Sequence, residues 1–71
     1  MRHTEDEEAK SRREERLRGV IRECLREDPR PDDAEVRKVA IEMGESMRVL
    51  RSRSIEIANE EIRTWDARNL G

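Results

Sequence analysis

The sequence predicts an all-α protein: a small antiparallel bundle of three helices in a single domain, residues 1–71. Three observations support this prediction. The apolar residues from Val36 to Trp65 keep one helical phase for about eight turns, two prolines interrupt the chain, and aromatic side chains are almost absent. An apolar stripe of this kind predicts how helices pack against one another, and it indicates no substrate.

The composition limits the size of the core. Hydrophobic residues make up 32% of the 71 positions and charged residues 48%, with one Trp, no Phe and no Tyr. A chain this short buries only about 60% of the surface that its unfolded form exposes. The core is therefore expected to consist of Leu, Ile, Val, Met and Ala, which fill helix interfaces but provide little material for a sheet or a ligand pocket.

The first helix is predicted from about Glu5 to Glu27. Thr4 and Glu7 have the spacing of a capping box. Residues 1–12 are expected to fray, because helical propensity without packing is marginal in water. The apolar face lies in the second half of this helix and consists of Leu17, Val20, Ile21, Cys24 and Leu25.

Residues 28–32, Asp-Pro-Arg-Pro-Asp, are the predicted loop between the first two helices. Each proline lacks an amide donor and disfavours helical angles in the residue before it. Asp28 or Asp32 can cap the helix that follows, and Glu35 has capping spacing to Asp32. The second helix is therefore expected to begin near Asp33 and to pack beside the first.

The path of the chain after Leu50 has two interpretations. A turn at residues 51–54, with Ser52 or Ser54 as a new N-cap, would start a third helix and complete the bundle. Alternatively, one helix of roughly 55 Å would continue to the end of the chain, and its uncovered half would form a homodimeric four-helix bundle. The second interpretation leaves four side chains for self-association: Ile55, Ile57, Ile62 and Trp65. We favour the three-helix interpretation, since helices average only about 12 residues.

Two glycines are candidate helix breaks in both interpretations. Gly19 and Gly44 each cost about 1 kcal/mol relative to Ala if their helices continue through them. Otherwise they mark breaks, with one helix ending at Gly44 and the next capped by Ser46.

The predicted core, which doubles as the self-association face, combines the apolar residues of all three segments. Its members are Leu17, Val20, Ile21, Cys24, Leu25, Val36, Val39, Ala40, Met43, Met47, Leu50, Ile55, Ala58, Ile62 and Trp65.

The charges favour a solvated surface over a nucleic-acid interface. Fourteen of the sixteen basic residues are Arg, but the net charge is −2, whereas a DNA-binding domain usually carries a basic excess. Some arginines have a carboxylate four residues away, and such pairs stabilise an exposed helix surface. These i,i+4 pairs include Glu8/Arg12, Glu14/Arg18 and Asp33/Arg37.

Candidate chemistry is sparse, and we predict no enzyme, cofactor or metal site. His3 stands third from the amino terminus, a spacing that suits Cu(II) or Ni(II), but every chain with His at this position has it. Cys24 is the only cysteine, so it can form neither an intramolecular disulfide nor a cysteine zinc site. It falls between Ile21 and Leu25 on the apolar face and is therefore expected in the core. The carboxylates lack an orienting partner. No apolar run is long enough to span a membrane and the first residues are acidic, so we expect a soluble, unprocessed chain that would remain in the cytoplasm of a cell.

The chain resembles computationally designed helical bundles. The features that carry the resemblance are the Thr4/Glu7 and Asp32/Glu35 capping spacings, the Pro31-Asp32-Asp33 helix entry, the nearly aromatic-free core and the Glu/Arg surface. Gly19, Gly44 and the preference for Arg over Lys depart from it. The resemblance implies a de novo structural protein whose role is the fold itself and which requires no partner. The alternative is a helix-mediated protein–protein interaction module.

Overall fold

The protein consists of three helices in the computed structural model, which describes the backbone of residues 2–70 and the side chains of residues 7–69; this part contains no strand. The helices are α1 (Arg2–Leu25), α2 (Asp33–Ser46) and α3 (Arg51–Leu70), and each packs against the other two. The all-α, three-helix prediction is confirmed. The alternative prediction, a single long helix after the proline loop, is wrong, because the chain turns between α2 and α3.

Helix α1 begins earlier than the sequence predicts. Since it starts at Arg2, Thr4 lies within the helix and is not its N-cap. The helix passes through Gly19 without a break. The fraying of residues 1–12 stays a prediction, and the side chain of His3 lies outside the described residues.

The connector between α1 and α2, residues 26–32, follows the predicted capping pattern. The carboxylate of Asp32 accepts a hydrogen bond from the amide of Glu35 at 2.9 Å, and α2 begins at Asp33. The guanidinium of Arg30 donates to the Pro31 carbonyl and to the Asp33 carboxylate, both at 3.1 Å. The predicted helix start and N-cap are confirmed.

The connector between α2 and α3, residues 47–50, lies four residues before the predicted turn. The Val49 amide donates to the Gly44 carbonyl at 2.7 Å, and the Arg48 amide donates to the Glu45 carbonyl at 3.2 Å. With Arg48 at a φ of 63°, these bonds form a Schellman motif, which satisfies the last carbonyls of a helix through the backbone. The predicted serine caps are therefore wrong: Ser46 is the last residue of α2, and Ser52 and Ser54 lie inside α3.

The core lies where the three helices meet. Its buried apolar residues are Leu17, Ile21, Cys24, Leu25, Val36, Ala40, Val49, Ile57, Ala58 and Ile62. Val20, Val39, Met43, Met47, Ile55 and Trp65 are half-buried. The prediction that Leu50 lies in the core is wrong, since its side chain is 76% exposed. The early turn leaves Leu50 at the end of the connector and places its neighbour Val49 in the core.

All three helices meet at the level of Gly44. Gly44 is buried, and a Cβ atom added there would collide with the side chain of Ser54 on α3 and contact Leu17 on α1. Ser54 is itself fully buried, and its hydroxyl has no hydrogen-bond partner. Gly44 therefore serves this close approach and does not mark an additional helix break.

Candidate functional site

The contact between α1 and α3 is bordered by six charged residues of alternating sign, here called the ion-pair ladder. Each step joins an arginine and a glutamate on opposite helices or within α3. The successive nitrogen–oxygen distances are 2.9 Å for Glu14–Arg53, 3.6 Å for Arg53–Glu60, 2.8 Å for Glu60–Arg18, 3.1 Å for Arg18–Glu61 and 2.9 Å for Glu61–Arg22. The ladder thus connects the middle of α1 to the centre of α3.

Glu61 is the most buried member of the ladder, with 7% of its surface exposed. Burial on its own would raise the pKa of this carboxyl group, but hydrogen bonds from Arg22 and Arg18 outweigh burial and lower the pKa. The Arg53 hydrogen bond likewise lowers the pKa of Glu14. Both carboxyl groups are consequently ionised and paired near neutral pH, which suits a structural role better than proton transfer.

The ladder replaces some of the predicted pairs within one helix. Glu8 and Arg12 do pair, at 3.5 Å. Glu14, however, bonds to Arg53 on α3, and the other predicted pair is divided: Asp33 bonds to Arg30, whereas Arg37 donates to Asn59 on α3 at 2.8 Å. Sequence reasoning missed these contacts between helices. One pattern in the sequence could have indicated these contacts. Glu14, Arg18 and Arg22 are spaced four residues apart, which places a charge beside the apolar face at every turn of α1.

A groove of about 440 Å³ lies between the carboxyl-terminal ends of α1 and α3. Its lining residues are Arg22, Leu25, Arg26, Glu61, Thr64, Trp65 and Arg68. Trp65 is half-buried here and packs against the core with its inner part. Arg22 and Glu61 neutralise each other within the ladder, so this groove is an extension of the structural contact.

A second groove, here called the Leu50 groove, lies between the first half of α1 and the connector that leads into α3. Its volume is about 360 Å³, and its lining residues are Lys10, Arg13, Glu14, Arg48, Val49, Leu50, Ser52, Arg53 and Glu56. Leu50 is the only large hydrophobic residue that is exposed in the described part of the chain. This groove therefore combines an exposed apolar side chain with a cationic surface.

Cys24, the metal-ligating residue types and the apolar content of the helices were the remaining sources of a possible site in the described part of the chain. Burial raises the pKa of the Cys24 thiol, which lies in the core. Among the residues with described side chains, no group of His, Cys, Asp and Glu is arranged to hold a metal ion. Between residues 2 and 70, no helix has the length and apolar content that crossing a bilayer requires.

No protein-family model matches the chain, and no curated protein or solved structure shows significant similarity to it.

Proposed function

We propose that this protein is a self-contained, antiparallel three-helix bundle without catalytic activity, whose role is the fold itself. The observation that carries the proposal is the burial of the second half of the apolar stripe within one chain. Ile57 is fully buried and Ile62 is 5% exposed, although both belong to the face on which a dimer of long helices would depend. Ile55 and Trp65 are half-buried, so the chain itself covers most of the face that a second copy would otherwise cover.

The antiparallel arrangement is supported by contacts along the helices. Arg37, near the start of α2, bonds to Asn59 in the second half of α3, whereas Gly44, near the end of α2, lies against Ser54 in the first turn of α3. These two contacts are the ones that an antiparallel pair of helices would make. On α1, Leu17 approaches the end of α2.

A designed origin is part of this proposal. Its support is the agreement of the Asp32 N-cap, the short connectors and the helical core with design practice. The buried, unpaired hydroxyl of Ser54 departs from that practice, because designs avoid buried polar groups without partners.

The proposal is tested by the mass of the protein in solution. Sedimentation equilibrium over a hundredfold concentration range is expected to give 8.4 kDa throughout, the mass of one chain. Fluorescence of Trp65 in the same samples should show partial protection from a soluble quencher. A concentration-dependent rise to twice the monomer mass, with increased protection of Trp65, would contradict a self-contained fold. The Ile57→Ser variant distinguishes a monomer from a dimer. In a monomeric bundle it should unfold the chain at every protein concentration, whereas in a dimer it should lower the mass by weakening self-association.

The second candidate function is an interaction module, and it is favoured by the Leu50 groove. An exposed leucine alone is common on protein surfaces. Leu50 differs because it lies in a concave region next to several cations, whereas the other apolar residues of the stripe are buried or half-buried. An interaction module would therefore use the corner between α2 and α3 and not the predicted face around Ile62.

A further inference from the structure

We propose that the Leu50 groove binds an acidic peptide segment of another protein that carries an apolar anchor residue. This inference rests on the second candidate function, the interaction module, and it names the surface and the chemistry of the partner. The peptide site and the self-contained fold are separate proposals, and a failure of one leaves the other standing.

The apolar part of the site is formed by two neighbouring residues, of which one is buried and the other is exposed. Val49 is buried and forms part of the wall, whereas Leu50 remains 76% exposed beside it. A side chain that enters the groove would contact both and would remove Leu50 from water. Helical and extended peptides commonly bind through such anchors, with affinity concentrated in a few apolar contacts.

The charged part of the site favours an acidic ligand. Four cationic and two acidic side chains line the groove, although the whole protein has a net charge of −2. Arg53 is already bonded to Glu14 at 2.9 Å. Lys10, Arg13 and Arg48 form no ion pair with the residues whose side chains the structure describes. Arg13 and Arg48 are thus available to the carboxylates of a partner, whereas the charge of Lys10 already acts on Glu14, whose pKa it helps to lower.

Arg48 places a cation next to Leu50 in the connector. Its φ of 63° lies in the left-handed region, where Gly is the usual residue at the end of a helix and a side chain is strained. The Arg48 side chain is exposed and lines the groove. Its charge therefore adds to the cationic surface that an acidic partner would contact.

The same residues argue for a peptide over a nucleic acid or a membrane. Glu14 and Glu56 would repel a continuous phosphate backbone, which requires a uniformly basic surface. One exposed leucine provides little apolar area for insertion into a bilayer. A peptide with alternating acidic and apolar side chains fits both the leucine and the separated cations.

The test is an NMR titration of the full chain with a synthetic peptide that contains leucines flanked by glutamates. We expect saturable shifts of backbone amides at Lys10, Arg13 and residues 48–53. Matched peptides with Lys in place of every Glu, or Ser in place of every Leu, should not produce them. Leu50→Ser should weaken binding about tenfold, since it removes most of the apolar contact.

Variants at Arg48 distinguish a binding role from a structural one. Arg48→Gly should weaken peptide binding severalfold while raising the thermal midpoint, because it removes a charge and relieves the backbone strain. Arg48→Lys should retain most of the binding. Arg16→Ala, which removes an exposed charge outside the groove, should leave binding unchanged and serves as the control.

Each contrary outcome has a defined meaning. Absence of saturable shifts with a folded protein overturns the peptide site but leaves the monomeric bundle, tested separately by sedimentation, intact. Shifts of the groove amides that follow protein concentration without peptide would identify a second copy as the occupant and overturn the proposal. Equal or larger shifts with single-stranded DNA or anionic phosphatidylserine vesicles would overturn it as well.

Discussion

The two sides of α3 contact their neighbouring helices in different ways. Toward α2, the contact includes Gly44 and the fully buried Ser54, where there is no room for an additional methyl group. Toward α1, long side chains such as Arg18 and Glu61 border the apolar contact and form ion pairs. The first contact depends on volume, and the second depends on charge. The stability of this bundle should therefore depend on the volume of a single methyl group on one side of α3 and on pH on the other.

The largest effect is expected from Gly44→Ala, which adds a methyl group to the tight contact. The new Cβ would overlap the Ser54 side chain, so we expect destabilisation of about 2 kcal/mol even though Ala favours a helix. Urea denaturation measures the free energy of unfolding. Adding Ser54→Gly should recover part of the loss, because it removes the atoms that collide. An increase in stability for Gly44→Ala alone would show that the helices separate easily and that the contrast between the two contacts is wrong.

Glu61→Gln tests the charged contact and should cost about 1.5 kcal/mol at neutral pH. The variant leaves Arg18 paired with Glu60 and, at 4.0 Å, with Glu15, and it returns the half-exposed Arg22 to water. Urea denaturation of both proteins at pH 7 gives the difference. Glu23→Gln is the control, since the Glu23 side chain is 76% exposed and should contribute little.

The same contact predicts the acid sensitivity of the fold. The folded-state pKa values of Glu14 and Glu61 lie below the ordinary value of 4.5. Their contribution is therefore fully present above that value and is lost as the pH falls through the lowered pKa values. Wild type should lose stability below about pH 4.5 more steeply than Glu61→Gln, so that the two unfolding curves converge in acid. Parallel curves would show that the ladder contributes no pH-dependent stability.

Ser54→Ala probes the volume-dependent contact from the other side and should stabilise the protein by about 1 kcal/mol. The hydroxyl is buried without a hydrogen-bond partner, so removing it removes a desolvation cost and shortens a crowded side chain. Thermal denaturation followed by circular dichroism is the measurement. Ser52→Ala is the control, because Ser52 is exposed on the same helix. A loss of stability specific to Ser54→Ala would indicate that the hydroxyl forms a stabilising bond in solution.

The elements that the sequence predicted well are those that side chains specify locally. The two prolines and the Asp32 cap determine where α2 begins, and both operate within a few residues. The end of α2 is different, because a Schellman motif is formed by backbone groups and here contains Arg48 in place of Gly. Nothing in the local sequence indicated this motif. The four-residue error in the turn is also the reason that Leu50 was expected in the core.

The ion-pair ladder and the Leu50 groove were beyond sequence reasoning for a related reason. Several arginines of α1 have more than one carboxylate nearby in the sequence, and whether they pair with these or with carboxylates of α3 depends on how the two helices are aligned. Glu14 illustrates this: Arg18 is four residues away, but Arg53 is 39 residues away and forms the bond at 2.9 Å. Helical periodicity determines which face a residue occupies, whereas the alignment of two helices depends on the packing of the whole core.

The smallest effect is expected from Gly19→Ala, the matched counterpart of Gly44→Ala. Gly19 lies within α1, and an added Cβ would have no neighbouring atom within 4 Å. Only the backbone preference remains, so Ala should stabilise the protein by about 0.8 kcal/mol. Opposite signs for the two substitutions in the same urea experiment would isolate the close approach at Gly44 as the cause of its cost. If both substitutions stabilise the protein, α2 and α3 lie farther apart in solution and only the charged contact is specific. If both destabilise it, α1 has a neighbour at Gly19, and a second copy of the chain is the first candidate to examine by sedimentation.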